Sequence, residues 1–202
     1  MKTKGVQNNL FFYAIIDIGD FMNNVETMYD ILMNDNVVES INENLSTLLI
    51  LIPELKPTIG FDHQHPHHHL DVWNHTLLAV SMSAKDFDIR LILLLHDIGK
   101  PFCYQEVDGI KHFHGHAEKS SLMSEKILER LGFTKEKTNE LCKVIKCHDT
   151  PLNDKDLQEN LELSLKRYEV QKCDALAHHP DRLEKRMTYL IKIGEKIKNK
   201  KK

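Results

Sequence analysis

Histidine is the residue type in this chain whose abundance and positions suggest a chemical role. The 202 residues include 13 histidines, and several of them fall at positions that a helical pattern places on an apolar face. These are His75, His96, His116 and His148. One histidine on an apolar face is usually an ordinary core residue, but imidazole is also a common metal ligand. Four such histidines on different segments favour a shared polar centre.

Two aspartates strengthen this interpretation. Asp97 follows His96 at the end of an apolar helical run, where a carboxylate meets both a desolvation penalty and the unfavourable end of the helix dipole. Asp174 stands alone in an apolar stretch of another helix. A bound cation would remove both costs, and helix bundles build metal sites from side chains that project inward from facing helices. We therefore predict a metal site that includes both carboxylates.

The helices around these residues can be located from hydrophobic periodicity. Asp71 is a plausible N-cap for a helix that places His75 on its core-facing side. The next helix is apolar nearly all round and stops at Gly99 and Pro101, which puts the His96-Asp97 pair in its last turn. Both segments are therefore expected to bring their polar residues into the interior.

Later segments supply the remaining candidates. His116 begins a helix that runs to Gly132, and His148 lies on the inner stripe near the end of the following one. Asp174 belongs to a seventh helix, and an eighth covers about residues 183–197. Residues 102–114, with Asp108-Gly109 in the middle, indicate a loop or a small hairpin.

The N-terminal part forms a helical extension, residues 1–52, ahead of a core at 53–198 in what we expect to be a single domain. A heptad stripe predicts a first helix over about residues 8–34, and a second spans about 37–52. The first stripe must be buried, either on the domain or against its copy in a homodimer.

Composition excludes several classes of protein. Apolar residues make up 41% and charged residues 28%, as in an ordinary folded domain. The net charge of −3 gives no basic surface for nucleic acid as an obligate partner. The chain lacks an apolar run of the roughly 18 residues that a membrane span needs. The four cysteines form no CxxC pair, which favours a reducing cytoplasm.

Four strings resemble the HD-domain phosphohydrolases, and most closely the HD domain at the C-terminal side of some bacterial tRNA nucleotidyltransferases. They are HLDVWNHT (69–76), LLLHDIGKP (93–101), HFHGHAEKS (112–120) and DALAH (174–178). The resemblance covers about residues 45–195 and implies an all-α HD-domain bundle of about eight helices, with at most a small hairpin near 102–113. No nucleotidyltransferase head precedes it, so we do not expect tRNA end addition.

The resemblance also implies roles for individual residues. The family's signature of an isolated His, a His-Asp doublet and a distant Asp is met by His75, His96-Asp97 and Asp174. His116 and His148 stand where members with a second metal have two further histidines, and Asp97 would bridge the two ions. Alternatively, these outer histidines contact substrate phosphate and one metal is bound.

Other polar groups near this constellation are candidate substrate contacts. Lys100 could neutralise a phosphate oxygen during catalysis, or simply satisfy the helix C-terminus. His68 resembles a motif position, and His114 lies in the loop before Gly115. The other histidines between residues 63 and 69 could equally be surface residues.

The ligand types suit Mn, Fe, Co, Ni or Zn, one or two ions per chain. The expected reaction is hydrolysis of a phosphate ester or phosphoanhydride by metal-bound water, catalysed with Asp97 and Lys100. The expected substrate is a nucleotide or a similar small phosphorylated metabolite, cleaved as a phosphomonoester or a phosphodiester. Two alternatives remain: a di-iron oxygenase of the HD type, and a regulatory module that binds metal and nucleotide without catalysis.

Overall fold

Helices form nearly all the regular structure in the part of the chain that the computed structural model describes, residues 18–64 and 69–200. This confirms the all-α prediction. The α-helices are α1 (Ile18–Leu32), α2 (Val37–Glu43), α3 (Leu45–Leu51), α4 (Val72–Ser81), α5 (Phe87–Leu95), α6 (His116–Leu131), α7 (Lys135–Lys146), α8 (Asp154–Glu159), α9 (Leu161–Leu176) and α10 (Leu183–Lys200). Short 3₁₀ turns cover Pro53–Thr58, Lys100–Phe102 and Pro180–Arg182.

The described residues hold more α-helices than the eight or so expected, for two local reasons. The segment predicted as one helix over 37–52 breaks at Asn44, whose side-chain amide donates to the Ser40 carbonyl 2.8 Å away and so competes with the helical backbone. Helix α8 was not predicted. It is closed by a capping box in which Asn153 and Asp156 each bond the other's backbone N–H.

Helix α5 is the centre of the bundle and packs against α1, α4, α7 and α9. Asp86 caps its start by accepting from the Ile89 backbone N–H, and the residues from Leu91 to Leu95 are almost completely buried. The helix ends at Leu95, with His96 as its C-cap. The His96-Asp97 pair therefore lies in the turn that follows the helix, not in its last turn, and is still buried.

The turn after α5 fits closely against the start of α6. Gly99 donates its backbone N–H to Ser120 Oγ, 3.0 Å away. A Cβ at Gly99 would lie 2.7 Å from the Ser120 backbone nitrogen and 2.9 Å from the His116 carbonyl oxygen, which is too close for any side chain. Glycine therefore permits the approach that brings the first residue of α6 beside Asp97.

A two-stranded antiparallel hairpin, β1 (Gln105–Val107) and β2 (Ile110–His112), lies between α5 and α6. Asp108 and Gly109 at its tip have φ of 52° and 75°, the left-handed values that a two-residue hairpin turn of this kind needs. The small hairpin predicted from Asp108-Gly109 is thus confirmed.

The described part of the N-terminal helix is packed into the core. Met28, Ile31 and Leu32 are buried with the apolar residues of α5 and α6, so this stretch covers a face of the domain. Residues 8–17 of the predicted helix lie outside the described residues, and pairing with a second copy stays a prediction. Within residues 18–64 and 69–200, no helix has the length and apolar character to cross a membrane.

Candidate metal centre

All six residues predicted as metal ligands lie together at the inner end of the bundle. On one side, His75 Nε2 lies 3.0 Å from Asp174 Oδ1 and 3.6 Å from Asp97 Oδ2. His96 Nε2 is 3.2 Å from the same Asp97 oxygen. These residues come from α4, the turn after α5, and α9, so separate elements converge on one point.

The other oxygen of Asp97 faces a second group. Asp97 Oδ1 lies 3.4 Å from His116 Nε2 and 3.7 Å from His148 Nε2. Potential ligand atoms of His75, His96 and Asp97 lie within 4.8 Å of one another, and so do those of Asp97, His116 and His148. Asp97 therefore stands between two groups of ligands and offers each of them a different oxygen.

Backbone carbonyls set the orientation of all four imidazoles. In each ring Nδ1 lies against a carbonyl oxygen, which can only accept a hydrogen bond, so Nδ1 carries a proton and Nε2 is the ring nitrogen left to bind a metal. The pairs are His75 with Ala177 (3.2 Å), His96 with Leu93 (2.6 Å), His116 with Phe113 (2.9 Å) and His148 with Ile145 (2.7 Å). Metal-binding histidines are oriented in this way, with the second ring nitrogen tied down.

Several buried polar atoms at this point lack a hydrogen-bond partner among the described residues. They are His96 Nε2 and both carboxylate oxygens of Asp97. Lys100 Nζ, 2.7 Å from Asp97 Oδ2, forms an ion pair there without hydrogen-bond alignment. Leaving such atoms unsatisfied costs about 1–3 kcal/mol each. A divalent cation bound to nitrogen and oxygen donors would remove this cost, so the residues fit a metal.

The charges of the site favour a cation as well. Burial disfavours charge on His96, but the Asp97 and Asp174 carboxylates outweigh burial and raise the pKa of His96 to about 10. Burial also acts against Asp97, yet His96 and Lys100 hold the pKa of that carboxyl well below its ordinary value. Burial, with the nearby His96, lowers the pKa of His148 to about 4 and keeps its ring neutral at pH 7. The two carboxylates that raise the pKa of His96 would equally attract a metal ion, which would take the place of that ring's proton.

Lys100 is buried, and it is held by a histidine that the sequence did not single out. Its ammonium lies 3.0 Å from His63 Nε2. His63 is itself fully buried, and its Nδ1 lies 2.8 Å from the Leu70 carbonyl oxygen. The surface interpretation of the histidine cluster is therefore wrong for His63, whereas His69 is exposed. His63 belongs to an irregular segment, where no helical or strand period could indicate burial.

Three further residues at the site were also missed. His178 is buried, and with His75 and Asp174 it forms a third group of potential ligands. Its spacing of four residues from Asp174 is a signal that could have found it. Arg186 of α10 lies 3.2 Å from Asp174 Oδ2 and 3.3 Å from His178 Nδ1. Asp149 Oδ2 lies 3.9 Å from His116 Nε2. No periodicity pointed to either of these two.

The ligands open into a cavity of about 310 Å³, which we call the main cavity. Its walls are Asp97, Lys100, His112, Phe113, His114, Gly115, His116, His148, Asp149, Asp174, His178 and Arg186. His114 is exposed there and stacks on His112 with ring centroids 5.8 Å apart. His68, the other predicted substrate contact, lies outside the described residues.

Comparison with known proteins identifies the family. The model of the HD domain family matches residues 67–189, which contain every ligand candidate named above. The chain belongs to the HD domain family. It is also 33% identical, over 113 residues, to a CC-adding tRNA nucleotidyltransferase of Thermus thermophilus. That match covers 52% of this chain and 26% of the relative, so this chain spans about a quarter of the length of the nucleotidyltransferase. HD-domain proteins form a superfamily of metal-dependent phosphohydrolases.

Proposed function

We propose that this HD-domain protein hydrolyses a phosphate ester or phosphoanhydride of a nucleotide or a similar small phosphorylated metabolite. One observation carries the proposal: the Nε2 atoms of four imidazoles surround the buried Asp97 carboxylate, whose two oxygens face separate histidine groups. Nitrogen and carboxylate donors in this mixture suit Mn, Fe, Co, Ni or Zn. His75, His96, Asp97 and Asp174 would hold one ion, and Asp97, His116 and His148 a second.

The protein's own residues supply the rest of the chemistry. A divalent ion bound here lowers the pKa of a coordinated water and polarises a phosphoryl oxygen. Lys100 adds a buried positive charge beside Asp97. Arg186 presents a partly exposed guanidinium to the main cavity, suited to a phosphate oxygen. Asp149, a carboxylate on the same wall and outside the ligand set, is available to accept the proton of the attacking water.

The size of the main cavity supports a small substrate. A volume of about 310 Å³ is at the lower end of the range of small-molecule sites, roughly 300–1,000 Å³. The Thermus thermophilus relative is named for a reaction on tRNA, but this chain covers only 26% of that protein. We therefore propose a mononucleotide-sized substrate and not a polynucleotide for this chain.

The test is phosphate release by the full chain, loaded in turn with Mn, Fe, Co, Ni or Zn, across a panel of phosphorylated metabolites. Hydrolysis that depends on metal is expected, and Asp97→Asn should lower it by roughly 100-fold or more. Asp35→Asn is the matched control, since Asp35 is exposed and pairs with Lys85 far from the site, and it should retain activity.

Two other results would overturn the proposal. A mixed-valence di-iron EPR signal with oxygen uptake would identify an oxygenase. Tight nucleotide binding with no turnover under any of the five metals would identify a regulatory module.

A further inference from the structure

The segment between α7 and α8 carries two groups of the candidate site on irregular backbone. Helix α7 ends at Lys146 and α8 begins at Asp154. We call residues 147–153 the α7–α8 connection. It contains His148, a candidate metal ligand, and Asp149, the proposed proton acceptor. Since these residues belong to neither a helix nor a strand, the positions of His148 and Asp149 depend on other contacts of this backbone.

Gln171 of α9 holds the first part of the connection. Its side-chain Nε2 donates to the Thr150 carbonyl oxygen at 2.6 Å and to the Cys147 carbonyl oxygen at 3.3 Å. A carbonyl oxygen can only accept, so the amide nitrogen is the donor in both bonds. The two carbonyls flank His148 and Asp149 in the chain. One buried side chain therefore holds the backbone on both sides of the two site residues.

Arg167 lies one turn earlier on α9 and holds the rest of the connection. Its Nη2 donates to the Thr150 carbonyl oxygen at 3.0 Å, so that carbonyl receives two side-chain donors. Its Nη1 lies 3.2 Å from Asp156 Oδ1. The other oxygen of Asp156 accepts the backbone N–H of Asn153 at 3.0 Å, where α8 begins. The Arg167 side chain is only 8% exposed, which strengthens these contacts relative to contacts in water.

The same face of α9 also carries a candidate metal ligand. Arg167, Gln171 and Asp174 follow one another at steps of four and three residues, which places them on one side of the helix. All three are buried. Asp174 would hold the first ion, and the connection supplies His148 to the second. Helix α9 therefore sets the distance between the two groups of ligands.

The orientation of the His148 ring depends on the same backbone. Its Nδ1 donates to the Ile145 carbonyl oxygen at 2.7 Å, and its backbone N–H donates to that oxygen at 3.3 Å. The ring therefore moves with the connection. A shift of the connection would change the distance from His148 Nε2 to Asp97 Oδ1, which is 3.7 Å. Removing the groups that orient a metal ligand typically weakens metal binding by about 10–100-fold.

We propose that Gln171 and Arg167 are positioning residues, which hold His148 and Asp149 at the second metal position. The inference rests on the proposed function and assigns roles to two residues that are not themselves ligands. Loss of either donor should weaken binding of the second ion and leave the first ion in place.

Titration calorimetry of the full chain with Mn²⁺ alone measures both ions. Gln171→Met and Arg167→Met remove the donors and keep long side chains. Each should raise the Kd of the second ion by about tenfold and change that of the first by less than about twofold. Arg167→Lys keeps a cationic donor, so its second Kd should stay within about threefold of the unmodified chain. Either Met variant alone decides the test if the other does not fold.

Arg90→Met is the matched control. Arg90 is also a buried arginine that donates to two backbone carbonyls, those of Leu32 and Asn34, but it lies in the first turn of α5. We expect a comparable loss of stability in urea unfolding, with both Kd values unchanged. If Arg90→Met weakens the second ion as much as the α9 variants do, the effect follows general stability and the inference is wrong. An unchanged second Kd in the folded α9 variants would overturn it as well.

The outcomes separate this inference from the proposed function. If the unmodified chain binds a single ion, the outer histidines would contact phosphate, and the same variants are titrated with inorganic phosphate. The Kd for phosphate should then rise by about tenfold, and equal values would overturn the inference. Because binding is measured and not turnover, a lack of hydrolysis would contradict the proposed function alone. Binding of neither Mn²⁺ nor phosphate by the unmodified chain would overturn both.

Discussion

The Nε2 atoms of His116 and His148 lie 3.2 Å apart. Each ring has its Nδ1 against a backbone carbonyl, so two lone pairs face each other beside Asp97 Oδ1. Neutral imidazoles cannot satisfy one another in this orientation, because neither Nε2 has a proton to donate. A cation between them and the carboxylate resolves the conflict, which makes the pair the natural place to test for a second metal.

The number of metal ions bound per chain should depend on which of the two ligand groups around Asp97 is changed. His116→Ala and His148→Ala should each lower bound metal from about two ions to about one per chain, because each removes one donor from the outer group. His75→Ala and Asp97→Ala should disturb the centre more generally. Elemental analysis of the purified variants measures this. If the outer variants keep full metal content but bind substrate more weakly, these histidines contact phosphate and the site holds one metal.

Gly99→Ala should weaken metal binding by His116 and His148 without removing either ligand. The new methyl group would lie 2.7 Å from the Ser120 backbone nitrogen and 2.9 Å from the His116 carbonyl, and backbone atoms cannot rotate away. The start of α6 must shift, and His116 moves with it. We expect about one metal per chain and a loss of about 1–3 kcal/mol of stability. Two metals in a folded Gly99→Ala protein would show that this close approach does not position His116.

A network of charges between α5, α7 and α9 should make stability depend on pH. Burial acts to raise the pKa of Asp88, but the ammonium groups of Lys137 and Lys166 outweigh it and hold that pKa below its ordinary value. A lowered carboxyl pKa contributes stability above the unfolded value near 3.9, and the contribution is lost as the pH falls below it.

Asp88→Asn should therefore cost about 1–2 kcal/mol at pH 7, and the difference from the unmodified chain should shrink below about pH 4. Urea unfolding between pH 7 and pH 3 gives the free energies. Asp154→Asn is the control. Asp154 also pairs with a lysine, Lys196, but both are exposed, so the change should be within about 0.5 kcal/mol at every pH. A difference for Asp88→Asn that stays constant with pH would contradict the assignment.

The sequence predicted those parts of the site that regular helices carry. His75, His116 and Asp174 lie at helical positions where the apolar period of three to four residues indicates the buried face. The hairpin was also predictable, since Asp108-Gly109 is a strong local turn signal. In these places, local sequence and tertiary structure agree.

The missed features are ones that a hydrophobic period does not indicate. His63 belongs to the irregular segment before α4, and its burial follows from the bridge between Asp62 and Asp71, a contact that periodicity does not reveal. Arg186 lies on α10 and meets Asp174 only through the packing of α10 against α9. Helix α8 depends on one capping box after Pro151 and is too short for a hydrophobic period.

The contact between His63 and Lys100 yields the last prediction. His63 Nδ1 faces the Leu70 carbonyl, so Nε2 is the acceptor that meets the Lys100 ammonium at 3.0 Å. Burial and the charge of Lys100 lower the pKa of His63 to about 2, which keeps this ring neutral and able to accept. We expect that His63 positions Lys100 against Asp97.

Two substitutions by amide residues, His63→Gln and His63→Asn, distinguish the two hydrogen bonds of the His63 ring. His63→Gln can place an oxygen near Nε2 and keep an acceptor for Lys100, whereas His63→Asn can replace only the donor to Leu70. Phosphate release should fall about tenfold or more in His63→Asn and His63→Leu, mainly in kcat, and recover in large part in His63→Gln. Thermal unfolding of all three variants shows whether stability follows the same order. If stability follows the same order as activity, and kcat falls equally in His63→Gln and His63→Asn, then His63 supports the loop and does not position Lys100.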